Sequence, residues 1–139
     1  MGNPSVQHAI RLLNVKVVSV DFNTDNLFDR NISDELEANV EYALRFNDEE
    51  PKMYIVEFMV QMKDKEKDIN LSLKAIALFE SENEIDDDFK NSPFANQNSP
   101  AIAFPFVRSF ISTFTTNAGL EPIILPSFNF ASQNQKNDN

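Results

Sequence analysis

The chain has 139 residues, enough for one domain with a single core. It carries 13 Phe but no Cys, which excludes a disulfide framework and thiolate metal sites. A formal net charge of −10 argues against unassisted nucleic-acid binding, where affinity comes mostly from Lys and Arg meeting phosphates; it suits solubility and basic partners.

The N-terminal MGNPSVQHAI lacks a basic region followed by an apolar core, so no secretory signal is legible. No apolar run approaches the roughly 20 residues of a membrane-spanning helix. The expectation is a soluble, cytoplasmic protein without membrane insertion. Leu12–Phe22 is rich in β-branched residues and reads as the first strand. The following segment, residues 23–36, carries Leu27, Phe28 and Ile32 among polar residues. It is long enough to cross the sheet, and long loops of this kind are often functional.

Three more strands follow. Glu37–Asn47 alternates, with Ala38, Val40, Tyr42, Leu44 and Phe46 on one face and polar residues on the other. Lys52–Lys63 places Tyr54, Val56, Phe58, Val60 and Met62 on one side and a mixed set on the other. Leu71–Glu80 places Leu71, Leu73, Ala75, Ala77 and Phe79 together. The short turns at Asp48–Pro51 and at residues 64–70 make these three a meander. Residues 81–97 read as a polar, acidic linker; Asp86, Asp87 and Asp88 lack the spacing and the glycine of a calcium loop.

Ser99-Pro100 is a helix start, a hydroxyl cap followed by proline at the first helical position. Pro105 should bend or restart that helix, and Gly119 should stop it. At about 100° per residue, Ile102, Phe106, Val107, Phe110, Ile111 and Phe114 cover roughly half the circumference, wider than one sheet requires. Arg108, Ser109, Ser112, Thr115 and Thr116 fill the remainder. Phe106, Val107, Phe110, Ile111 and Phe114 are therefore candidates for a self-association interface, against the alternative of a bulky core helix. The loop from Gly119 to Phe130 is greasy, proline-bracketed and almost uncharged, a composition suited to binding as well as to capping a core. Residues 131–139, rich in Asn and Gln, read as a disordered tail.

Catalytic signals are absent. His8 is the lone histidine, near the N-terminus and without suitable sequence neighbours. Two glycines cannot build a phosphate loop. No enzyme, metal or cofactor is expected.

Two motifs carry a family resemblance: Phe104-Pro105-Phe106-Val107-Arg108, and Gly119-Leu120-Glu121-Pro122-Ile123-Ile124-Leu125-Pro126 continuing to Asn129-Phe130. Their order and spacing resemble the signature end of the SecB protein-export chaperones, and the order of strands and helix matches over most of the chain. The resemblance implies an α+β single domain over residues 1–139. A four-stranded antiparallel sheet, with a long crossover after strand 1 and then a meander, packs on one main C-terminal helix. It also implies a dimer or tetramer and ATP-independent holding of unfolded or precursor polypeptides. Client contacts would come from the crossover, Leu27 and Phe28, and from the loop, Leu120, Pro122, Ile123, Ile124, Leu125, Phe128 and Phe130.

The chain departs from the family pattern in two places. A second helix usually follows the Asn-Phe motif, whereas this sequence has nine polar-rich residues there. Docking on the SecA motor uses acidic residues on the outer sheet face; Asp21 fits one such position, but the others look like Val17 and Ser72. A chaperone dedicated to one partner, such as an antitoxin, or a non-chaperone assembly subunit are the competing readings.

Overall fold

The computed structural model describes residues 9–131. His8 and the tail beyond Ala131 lie outside them. Four antiparallel strands, β1 (Ile10–Thr24), β2 (Glu37–Phe46), β3 (Met53–Asp64) and β4 (Ile69–Ser81), form one sheet in the order β1-β4-β3-β2. The segment after β1 carries the chain across the sheet to the far edge, and the meander returns it to pair β4 with β1. This is Greek-key connectivity. The alternation legible in β2, β3 and β4 survives as one apolar inner face: Val40, Tyr54, Val56, Phe58, Val60, Leu71, Leu73, Ala75 and Phe79 are all buried.

β1 departs from simple alternation. Its register against β4 slips between Leu12 and Asn14 and again between Val17 and Ser19. Each slip is a β-bulge that accommodates one extra residue, Leu13 and Val18. Both extra side chains are exposed, while Ile10, Leu12, Val15, Val17, Val20 and Phe22 pack against the core. Val17 is thus an inner-face residue, opposite buried Ala75, and not the outer-face neighbour of Asp21. The bulge at Val18 gives that role to Ser19.

The inner face is covered by α1 (Asp87–Lys90), a π-helical turn (Phe94–Asn98) and α2 (Ser99–Asn117). The expected linker is therefore partly structured. Asp86 caps α1 by accepting from the Phe89 amide at 2.8 Å, and Phe89 and Ala95 are buried. Ser99 does not act as a cap. The π-helical turn runs straight into α2, and the buried Ser99 hydroxyl bonds the Phe94 carbonyl at 3.0 Å and the Tyr54 hydroxyl at 2.6 Å. Burial pushes the Tyr54 phenol up to about 12, with the Ser99 bond acting in the opposite direction. α2 runs continuously through Pro105.

The end of α2 obeys the sequence. Gly119 adopts φ of 98°, and the amides of Gly119 and Leu120 bond the carbonyls of Thr116 and Thr115. This is the Schellman pattern, in which only glycine takes the left-handed position without strain. Thr115, which the helical wheel places on the side away from the apolar residues, is fully buried.

Candidate functional site

The two segments singled out for binding, the crossover and the post-helix loop, meet at Glu121. Its amide donates to the Arg30 carbonyl at 2.8 Å, and its carboxylate Oε1 accepts from the Ile32 amide at 2.6 Å. The start of the loop is fixed to α2 as well, because the Ile123 amide donates to the Thr115 hydroxyl at 2.9 Å. That hydroxyl donates in turn to the Ile111 carbonyl at 2.8 Å. Further along, Arg108 donates to the Ser127 hydroxyl at 3.1 Å.

A second anchor ties the crossover to the sheet. Asp64, at the end of β3 and fully buried, accepts from the Ser33 amide and hydroxyl, both at 2.7 Å, and from the Lys67 amide at 3.1 Å. Burial pushes the carboxyl up, but the bonds from Ser33 and the neighbouring amides outweigh it and hold its pKa below the usual range. Between these anchors and β1, the chain turns on its own side chains. The Asn26 amide bonds the Thr24 hydroxyl, the Phe28 amide bonds the Asn26 side chain, and the Asn31 amide bonds the Asp29 carboxylate. Such Asx and Ser/Thr turns fix a loop locally without a core. The tip they shape presents Leu27 and Phe28, 81% and 96% exposed.

The structure divides the expected client residues. Leu27, Phe28, Pro122 and Ile124 are exposed and Phe128 is half-buried. Leu120, Ile123, Leu125 and Phe130 are buried in the chain's own core, so their expected role as open contacts is corrected: they anchor the loop. Extended backbone with a period of two explains the split, since Ile123 and Leu125 point inward and Ile124, 74% exposed, points out. Phe130 packs edge-to-face on Tyr42, Phe58 and Phe104, at ring separations of 5.3, 6.4 and 5.6 Å. The interface candidates divide in the same way. Val107 and Ile111 are fully buried beneath the helix, which corrects their expected role at an interface. Phe106 is 56% exposed, and Phe110 and Phe114 are half-buried and stacked on each other at 5.9 Å. Ile102 and Leu13 extend this exposed apolar surface on α2 and β1.

On the outer sheet face Asp21 is exposed and pairs directly with Ser72. Glu57 sits there between Arg45 at 3.0 Å and Lys74 at 3.4 Å, and the Arg45 bond is the first cause of its lowered pKa. Among the described residues no group of His, Cys, Asp and Glu could hold a metal, and no helix is long and apolar enough to cross a membrane.

Sequence reasoning missed Glu121, Thr115 and the Asp64–Ser33 pair. For Glu121 a signal existed: it is the one charged residue between Arg108 and the end of the loop at Phe130. A lone acid in an apolar loop requires a donor, here a backbone amide.

The sheet, crossover, helix and loop define an α+β fold of the SecB type. Comparison with solved structures agrees: the Mycobacterium tuberculosis Rv1957 SecB-like chaperone, in complex with a ChAD peptide from the Rv1956 HigA1 antitoxin, superposes with a TM-score of 0.67. It does so at 11% identity over 86% of this chain and 87% of that one. The family model of the preprotein translocase subunit SecB matches residues 3–138, and the chain belongs to that family, one of chaperones and not of enzymes. An uncharacterized protein of Methanocaldococcus jannaschii, MJ0357, is 32% identical over 127 residues, covering 88% of this chain and 81% of its own. The protein-export protein SecB of Rickettsia akari is 28% identical over 134 residues, covering 94% and 74%.

Proposed function

We propose that the protein is an ATP-independent holding chaperone that binds unfolded or precursor polypeptides, using the crossover tip and the exposed side of the post-helix loop. The observation that carries this is Leu27, Phe28 and Ile124, three large apolar side chains held in solvent by ordered backbone. Large apolar side chains left open on two segments that are bonded to each other fit a binding surface. An unfolded chain, with scattered apolar side chains on extended backbone, is an occupant that needs no single shape. Binding of this kind makes and breaks no covalent bond, and the acidic surface keeps the complex dispersed.

The working form is a cytoplasmic dimer or tetramer assembled through Phe106, Phe110 and Phe114, with Ile102 and Leu13 beside them. α2 carries one charged residue, Arg108, in a chain of 34 charged residues, which supports a helix covered by another copy. Delivery to the Sec translocase through SecA, with Asp21 as a docking residue, is the family's general role. A second reading, a chaperone dedicated to one partner, is favoured by the antitoxin peptide on the Mycobacterium tuberculosis relative and by the isolation of Asp21 between Ser19 and Ser72.

The test is suppression of aggregation of a slowly refolding protein, with the mass of the candidate measured by light scattering in the same buffer. Suppression near one oligomer per client supports the holding reading. A monomer without effect on aggregation overturns it.

A further inference from the structure

Glu121 is the point through which α2 and the loop that follows it reach the crossover. On one side the residue is held by α2. The Leu120 amide bonds the Thr115 carbonyl at 3.0 Å, the Ile123 amide bonds the Thr115 hydroxyl at 2.9 Å, and Pro122 restricts the backbone between them. On the other side Glu121 grips the crossover twice, through its amide on Arg30 and its carboxylate on Ile32. The carboxylate-to-amide bond is short and charge-assisted, which places it among the stronger kinds of hydrogen bond. Downstream of its tip the crossover has two other long-range anchors among the described residues: Asp64 on Ser33, and Lys67, which reaches Asp29 at 3.3 Å through an ion pair open to solvent. Upstream of the tip the Asp25 amide donates to the Asp68 carboxylate at 2.8 Å.

From this arrangement, and resting on the holding function proposed above, we infer that Glu121 is a positioning residue for client binding. It acts through Leu27 and Phe28, which it does not itself touch. The clasp at Arg30 and Ile32 fixes the frame from which residues 26–29 project. The two walls, crossover and loop, are thereby held as one unit instead of two independently moving segments. A pre-ordered apolar surface binds with less loss of conformational freedom than one that must order on contact. The clients favoured are extended segments whose apolar residues reach both Phe28 and Ile124 at once, so that the effective concentration of the second contact is set by the clasp.

The experiment uses the full chain and, as probe, reduced and carboxymethylated lactalbumin, a permanently unfolded polypeptide. Dissociation constants are measured for the wild type, Glu121→Ala, Glu121→Gln, Phe28→Ser and the double variant Glu121→Ala with Phe28→Ser. Amide exchange at Ile32 reports the clasp directly. Glu121→Ala is expected to weaken probe binding about tenfold and to speed exchange at Ile32. Glu121→Gln keeps an acceptor oxygen and is expected to restore most of both. In the Phe28→Ser background, Glu121→Ala should add little, because the side chain it positions is gone. Fully additive effects in the double variant, or unchanged affinity in Glu121→Ala despite faster exchange, overturn the inference while leaving the holding function intact. A wild type that does not bind the probe overturns both.

Discussion

The post-helix loop and the crossover after β1 form a pair of opposites. The loop is apolar in composition, yet Leu120, Ile123, Leu125 and Phe130 are core. The crossover is polar in composition, yet it holds the two most exposed large apolar side chains among the described residues, Leu27 and Phe28. Composition measures how much apolar surface a segment carries, not where it points. In the loop, extended backbone and two prolines alternate the side chains between core and solvent. In the crossover, short-range turns through Asn26 and Asp29 hold the tip, so no core is needed beneath Leu27 and Phe28. The segment that looks like the binding site is therefore half scaffold, and the segment that looks like a connection is the more open surface.

Substitution separates the two regions by stability. Replacing Ile123 and Leu125 together with Ser removes buried side chains worth about 2–5 kcal/mol each and buries hydroxyls in their place. Against a total stability of about 5–15 kcal/mol, the pair is expected to melt the loop or the whole chain, read as a large fall in the urea midpoint. A small fall with intact assembly would instead make these residues part of the open surface.

Next in size are the anchors. Thr115→Val leaves the Ile123 amide without its acceptor and should cost about 1–3 kcal/mol in urea unfolding. Asp64→Asn weakens the bonds to Ser33 and should cost about 2 kcal/mol at neutral pH. The Asp64 carboxyl has a lower pKa folded than unfolded. Its contribution is therefore complete above the unfolded value of about 3.9 and is lost as pH falls through the folded one. The gap in stability between wild type and Asp64→Asn should be full at pH 7 and shrink below about pH 4. A gap that stays constant into acid would mean that the Asp64 carboxyl has the same pKa in the folded and the unfolded chain.

The smallest effects on stability belong to the open residues. Leu27→Ser and Phe28→Ser should change stability by within about 0.5 kcal/mol and yet lower the suppression of client aggregation. Phe106→Ser should likewise spare the fold while shifting the mass measured by light scattering downward. Loss of stability in any of the three would place that side chain in a core.

Much of the fold was legible because burial imposes period two on β2, β3 and β4, and because Pro100 and Gly119 mark the limits of α2. β1 was less legible. Its two bulges each insert a residue, so a reading that assumes strict alternation places Val17 on the wrong face. Ser99 and Thr115 were misread for a common reason. Ser99 reads as a cap and Thr115 as part of the helix's small side, but each hydroxyl satisfies a buried partner, Tyr54 and the Ile123 amide. The site was only half legible, since the contacts joining its walls span 89 residues at Glu121 and 31 at Asp64, separations that no local pattern encodes.

The most direct test of the division between scaffold and open surface is site-specific photocrosslinking to a denatured client. A photoreactive phenylalanine analogue is placed in turn at Phe28, at Ile124 and, on the outer sheet face, at Met59. The account predicts client adducts from positions 28 and 124 and few from 59. Adducts from 59 alone, with none from 28 and 124, would contradict it.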